Sequence, residues 1–411
     1  MAGEDAPAVS WWSIRITRKV QSMRPQESHF RHFLHRAWQV TAPHVRRRWR
    51  LRIVWALVLI QPCACNSPVA SDEAGSAADD SIGAATLAVI VNDADPLSRR
   101  IGAYYAQQRH IPEKNLIHVS FAPDKSIMTR GEFERVMITV NERVPPSVQA
   151  YALAWTRPYR VGCMSVTTAF AAGYDEAFCA SGCKATRPSP YYDSDSSRPY
   201  EDFGWRPSML LAGNGFDEVK SLIDRGVAAD GTNPRGTGYL VSTNDAARNV
   251  RSRFYPGVML MQSDRFSFEL ITSNILRYRT NVMFYFTGLA KVVGIDTNRF
   301  LPGAIADHLT SSGGQLTDSS QMSSLHWLEA GATGSYGTVV EPCAFTQKFP
   351  RPDIVIDRYL DGETLLEAYW KSVAWPGQGV FIGEPLSAPF REKNSQGQDG
   401  NLKPPDPPHR D

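Results

Sequence analysis

Between residues 85 and 390, short apolar runs alternate with amphipathic stretches. Ala85-Thr-Leu-Ala-Val-Ile-Val-Asn92 is continuously apolar and bounded by turn residues, the pattern of a strand buried on both faces. Asp95-Pro-Leu-Ser98 follows, with Asp95 suited to an N-cap and Pro96 to the first helical position. Ile101, Tyr104, Tyr105 and Gln108 keep helical spacing until Ile111-Pro112 stops the helix. Leu116-Ile-His-Val-Ser120 completes a βαβ unit, which favours a parallel sheet with a right-handed crossover.

The alternation continues. It predicts helices over 131–141, 217–226, 246–254, 266–279, 354–360 and 364–373, and strands over 150–155, 238–242, 281–286, 333–340 and 380–382. Residues 303–330 read as helix and turn. The expected fold class is α/β: an open, mainly parallel sheet with helices on both faces, doubly wound or caspase-like. One domain spans 85–390 and carries a long insertion, 156–207. Loops of that length are usually functional or mobile. No internal repeat is visible in the sequence.

Composition bears this out. The 411 residues, 42% hydrophobic and 10% aromatic, can fill a sizeable core. Net charge is only +2, but Arg15, Arg18, Lys19, Arg24, Arg31, Arg36, Arg46, Arg47, Arg48, Arg50 and Arg52 crowd into the first 53 residues. The rest of the chain is acidic, so no nucleic-acid partner is expected. The basic arm runs into Leu51-Arg-Ile-Val-Trp-Ala-Leu-Val-Leu-Ile60 and then Gln61-Pro-Cys-Ala-Cys-Asn-Ser67. Those three parts form a secretory signal, too short for the ~20 apolar residues of a spanning helix.

Residues 1–65 are therefore expected to be a basic arm with a signal-like segment; the plainer reading is a basic tail. Residues 66–84 read as a linker and 391–411 as a disordered, proline-rich tail. Export to the periplasm or cell surface follows. Membrane contact is expected only through the signal or a lipid on Cys63 or Cys65, and Met23 is an alternative start.

Past the arm the cysteines are Cys163, Cys179, Cys183 and Cys343. An even count in an oxidising compartment suggests disulfides, with three full pairings open. Cys179 and Cys183 could close a small loop. Cys163 with Cys179 would staple a loop of roughly 15 residues, worth about 3 kcal/mol on the chain-entropy model. No histidine lies near Cys179 and Cys183, and no metal or cofactor is expected.

Nucleophilic catalysis needs a base beside a thiol or hydroxyl. The body's histidines are His110, His118, His308 and His326. His308 has Asp307, Ser311 and Ser312 close by, and Cys343 falls at a strand end, where sites collect in open sheets. The candidate catalytic residues are thus Cys343, His308 and Ser312, with His326 a second partner for Ser312. The plainer reading makes Cys343 a buried thiol or half a disulfide.

Gly331, Gly334 and Gly337 follow a helix and enter a strand, which suits close packing rather than a phosphate cradle. Asp193, Asp195, Glu201 and Asp202 lack the alternate spacing of a calcium loop. Tyr191, Tyr192, Tyr200, Phe203 and Trp205 could form a platform for a sugar or peptide, or a small satellite core.

Val91-Asn-Asp-Ala-Asp-Pro-Leu-Ser98, Ile101-Gly-Ala-Tyr-Tyr105 and Arg109-His-Ile-Pro112 resemble the first βα unit of a bacterial family. That family is uncharacterised and found alongside exosortase-type protein sorting. The stretches 331–342, 362–369 and 383–390 resemble its carboxy-terminal signature, so the likeness covers roughly 86–390. It implies export, sorting and exopolysaccharide-linked surface biology, with no activity to carry over. Asn92 and Ser98, within its first motif, join Tyr191, Tyr192 and Trp205 as candidate binding residues. The chain departs from the family at Trp155-Thr-Arg-Pro-Tyr-Arg-Val161, where a Gly-x-Pro-Leu-type turn belongs.

More remotely, 331–337 and 362–368 are similar in order to gingipain- and caspase-like peptidases. Those place a cysteine before the glycine-rich strand, where this chain has Asp307-His-Leu-Thr-Ser-Ser-Gly-Gly314. Their His-Gly is replaced by Thr287-Gly-Leu. The expected function is an exported surface-sorting accessory protein. It would bind an envelope polypeptide or exopolysaccharide through the insertion and the sheet's carboxyl edge. The alternative is a divergent caspase-fold cysteine or serine hydrolase.

Overall fold

A computed structural model describes residues 81–180, 183–261 and 266–392. The basic arm, signal, lipid-site and start-site expectations lie outside the described residues, as do 66–80 of the linker and 393–411 of the tail. All described residues belong to the unit Ala74–Asp411.

Strand β1 (Leu87–Asn92) leads through α1 (Pro96–Arg109) to β2 (Leu116–Val119), then β3 (Ile127–Met128), α2 (Arg130–Arg143) and β4 (Ala150–Leu153). The expected insertion holds β5 (Arg160–Val161), β6 (Met164–Ser165), α3 (Val166–Ala172) and α4 (Pro199–Phe203), ending at β7 (Ser208–Leu210). Next come α5 (Phe216–Ala229), β8 (Gly236–Ser242), α6 (Tyr255–Val258), β9 (Phe266–Thr272), β10 (Val282–Thr287) and β11 (Phe300–His308). The chain finishes with α7 (Leu325–Glu329), β12 (Gly334–Thr338), α8 (Pro352–Leu360), α9 (Leu365–Lys371) and β13 (Gly379–Gly383).

The fold is α/β, with a ten-stranded, mostly parallel open sheet in the order β2-β1-β4-β7-β13-β12-β11-β10-β8-β9 and a small sheet of β3, β5 and β6. β2, β1, β4, β7 and β13 are mutually parallel. So are β12, β11, β10, β8 and β9. The two halves meet antiparallel, with Gly334 opposite Gly383 and Thr338 opposite Gly379.

This one reversal places the carboxyl ends of the two halves on opposite edges. Each half also repeats the same order, β2-β1-β4-β7 and β9-β8-β10-β11, so the topology contains a repeat that the residues conceal. Each half has its own switch point, beside β1 and β4 in one and β8 and β10 in the other.

Alternate residues of β1 go to opposite faces, as the strand period requires. Leu87, Val89 and Val91 pack with Ile101 and Tyr105 of α1, Ile223 of α5 and residues of α8 and α9. Ala88 and Ile90 pack with Phe133, Val136 and Val140 of α2 and Val166 and Phe170 of α3. Burying each Val, Leu, Ile or Phe among these contributes about 1.5–3 kcal/mol. Local signals act as expected at the helix starts: Asp95 Oδ1 accepts the Leu97 N–H at 2.9 Å. In α9, Thr364 and Glu367 form a reciprocal capping box.

Several expectations need correction. The stretch 266–279 is not a helix: Phe266 and Phe268 are buried while Ser267 and Glu269 are exposed, and this alternation makes β9. The 246–254 helix is instead a three-ten run over Asn249–Phe254. Strand β11 was hidden by Pro302 and Gly303, the latter at φ +86°. Gly303 is held by the Thr333 hydroxyl at 2.9 Å and the Tyr359 hydroxyl at 2.9 Å. Ile82, inside the expected linker, is fully buried in the core.

Candidate functional site

The sheet ends Thr287, Asp307 and Thr338 share one carboxyl edge, where the hydrolytic residues were expected. Asp307 is fully buried and pairs with the equally buried Arg251 at 2.5 Å. Burial pushes its carboxyl up, opposed by the Arg251 charge. Arg251 also donates to the Thr287 carbonyl at 3.0 Å, tying β10 to β11.

Among the described residues, His308 hydrogen-bonds to no hydroxyl or thiol. Its Nδ1 accepts the Trp327 indole N–H at 3.0 Å, so its Nε2 carries the proton and faces the Met322 carbonyl at 3.2 Å. Burial holds this imidazole down to about 3. A neutral ring with both nitrogens occupied is no general base for Ser312 or Cys343.

Ser312 is close in sequence but differently engaged. Its hydroxyl lies 3.1 Å from Ser319 Oγ and 3.2 Å from Gln321 Oε1. His326 faces Glu329 at 2.7 Å on an exposed surface instead.

Cys343 is bonded to Cys183, and Cys163 to Cys179, with Cα atoms 5.5 and 5.4 Å apart respectively. A disulfide sulfur is not a thiolate nucleophile. The Cys343, His308 and Ser312 expectations are therefore corrected: the structure makes one a cross-link, one a core hydrogen-bond bridge and one a loop tie. The small Cys179–Cys183 loop does not form.

The binding residues need similar revision. Asn92 and Ser98 are fully buried. The Asn92 carboxamide accepts from Ala94 N and Phe121 N and donates to the Phe121 carbonyl, while its own N–H reaches Ser98 Oγ at 2.8 Å. Both residues stitch the loops after β1 and β2, leaving nothing for a ligand.

Tyr191 is fully buried beneath α9, and Trp205 packs edge-on against Phe178 and Trp370. The Tyr192 hydroxyl accepts from Arg351 at 3.1 Å. Tyr191 thus belongs to the main core, Trp205 packs against it, and Tyr192 braces Arg351, so the three do not form a platform. Asp195 and Asp193 pair with Arg358 at 2.8 and 3.3 Å. Among the described residues no group of three acidic, cysteine or histidine side chains could hold a metal.

The insertion nevertheless borders a groove, with Tyr200 alone of the five candidate aromatics in its lining. A cavity of about 740 Å³ lies between α2 and the insertion. Met137 and Ile138 form one wall, and Phe170, Tyr174 and Tyr200 the other, with Glu134, Asn141 and Arg206 as polar members. Ile138 is 58% exposed. The Arg206 guanidinium sits 3.2 Å from the Tyr200 ring centroid and donates to the Val148 carbonyl at 2.9 Å. Such stacking fixes Tyr200 as a rigid wall.

No family model, curated protein or solved structure matches this chain.

The groove had a sequence signal. Phe133, Val136 and Val140 form the buried stripe of α2, Met137 packs half-buried on its edge, and Ile138 lies outside it. Apolar residues off the core stripe mark a second contact face. A further cleft of about 720 Å³ lies between the loops after β10 and β11, bordered by Lys291, Asp296, His326 and Glu329. It has no Phe, Tyr or Trp in its lining. Among the described residues, no helix is long and apolar enough to cross a membrane.

Proposed function

We propose that this chain is an exported envelope accessory protein that binds a polypeptide segment and performs no cysteine or serine hydrolysis. The groove between α2 and the insertion carries this reading: exposed Ile138 and half-buried Met137 oppose Phe170, Tyr174 and Tyr200. Apolar anchors seated between rigid aromatic walls are how proteins grip peptide side chains. Glu134, Asn141 and Arg206 at the groove's border would meet the polar backbone of such a segment. Two disulfides support an oxidising compartment outside the cytoplasm. The resemblance to exosortase-associated proteins suggests the same surroundings.

The test is selection from a displayed peptide library, then calorimetry with the selected peptide, wild type against Ile138→Asp and Tyr174→Ala. Apolar peptides whose affinity falls at least about tenfold in both variants bear the reading out. Peptides unaffected by either variant, or saturable binding only to oligosaccharides, defeat it.

A further inference from the structure

Helix α2 has a second flank. Opposite the apolar groove it borders a cavity of about 510 Å³ at the carboxyl ends of β1 and β2. Glu132, Arg135, Thr139 and Arg143 of α2 line it, together with Asp93 and His118. Arg135, Thr139 and Arg143 are four residues apart in turn, so they form one row about 12 Å long between its ends.

The donors there outnumber the acceptors. Glu132 is committed to its own helix start, accepting from Thr129 N at 2.9 Å and Thr129 Oγ1 at 2.8 Å, with Lys125 at 3.3 Å. Those bonds hold its carboxyl down to about 2. Asp93 Oδ1 is taken by His118 Nδ1 at 2.7 Å. Arg143 spends one N–H on the His118 carbonyl at 2.8 Å. Arg135 has no hydrogen bond or ion pair among the described residues.

A free guanidinium, a second with most of its donors unspent and a threonine hydroxyl thus face a single cavity with its carboxylates already engaged. The guanidinium fork matches the two oxygens of an oxyanion. The ends of adjacent parallel strands are also where open sheets receive ligands. We propose that this cavity binds an oxyanion group (carboxylate, sulfate or phosphate), with Arg135 as the principal contact and Arg143 the second.

Titration calorimetry with inorganic sulfate, inorganic phosphate and glucuronate, each at matched ionic strength, tests this on the wild-type chain, Arg135→Ala and Arg135→Lys. Saturable binding that weakens at least about tenfold in Arg135→Ala, and that Arg135→Lys only partly restores, is the expected result. The tightest of the three probes tells a free inorganic anion from a sugar carboxylate. Arg135 is exposed and unpartnered, so its loss leaves the fold intact, which a thermal melt of each variant checks. Three probes without saturable binding, or binding that Arg135→Ala leaves unchanged, would overturn the site. The opposite flank's Ile138→Asp leaves this binding untouched, which keeps the two sites separable.

Discussion

Arg109 grips Glu384 with two sides of its guanidinium fork: Nε donates to Oε1 at 2.9 Å, and a terminal N–H reaches Oε2. The partners are 275 positions apart and join the end of α1 to the turn after β13. Asp230, following α5, takes the other terminal nitrogen. Glu384 is fully buried and Arg109 nearly so, while Asp230 is 34% exposed. Arg109→Met leaves a buried carboxylate uncompensated and should cost about 3–5 kcal/mol. Asp230→Asn should cost less than about 1 kcal/mol, because water screens that half of the network. Urea unfolding of both variants checks the ranking, and equal losses would refute it.

His308 makes stability pH-dependent in a defined direction. Its folded-state value is about 3, against an ordinary 6.5, because burial penalises the charged ring. The unfolded chain therefore binds a proton below pH 6.5 that the folded chain refuses. Its contribution is complete above 6.5 and declines as pH falls towards 3, by roughly 1.4 kcal/mol per unit. Comparing wild type with His308→Gln between pH 7 and 4 isolates this loss. A nitrogen-detected NMR spectrum at pH 5 should show a neutral ring protonated on Nε2. An imidazolium there would contradict the site geometry.

The cross-link at Cys343 predicts both chemistry and stability. Peptide mapping without reduction should recover Cys163 with Cys179 and Cys183 with Cys343. The first spans a sequence separation of 16 and the second 160. On the chain-entropy model these stabilise by about 3 and about 5 kcal/mol, so Cys343→Ser should be the more damaging change. Alkylation of Cys343 in the unreduced protein, or fluorophosphonate labelling of Ser312, would revive the hydrolase.

The first βαβ unit was legible because its signals are local: a continuous apolar run, Asp95 as cap and Pro96 behind it. β9 was misread because an amphipathic strand beginning Phe266-Ser-Phe-Glu269 offers few alternations to set against helical spacing. β11 was missed because Pro302 and Gly303 break its apolar pattern, and the distant Thr333 and Tyr359 hydroxyls help hold that break in place. The site suffered most from long-range pairing. Nothing in the sequence around Cys343 shows that Cys183 meets it, or that Trp327 occupies His308. Burial of Tyr191 under α9 is equally non-local: its place in the core depends on residues nearly two hundred positions later.

The glycine-rich strand β12 gives a test of packing against ligand binding. A methyl on Gly337 would overlap the backbone of Gly313 and Gly314, and one on Gly314 would overlap the carbonyl of Gly337. Backbone on both sides cannot yield as a flexible side chain would. Gly337→Ala should therefore destabilise by at least about 3 kcal/mol, the upper end of overpacking costs. Gly257 of α6 is the control, since beyond its chain neighbours and its own helix backbone nothing lies within 4 Å of its added methyl. Gly257→Ala should be neutral or stabilise by up to about 1 kcal/mol, through helix propensity and a less flexible unfolded chain. Chemical denaturation of the pair measures the contrast. If Gly337→Ala kept wild-type stability while altering binding of an added phosphate compound, the close-packing account of the strand would fail.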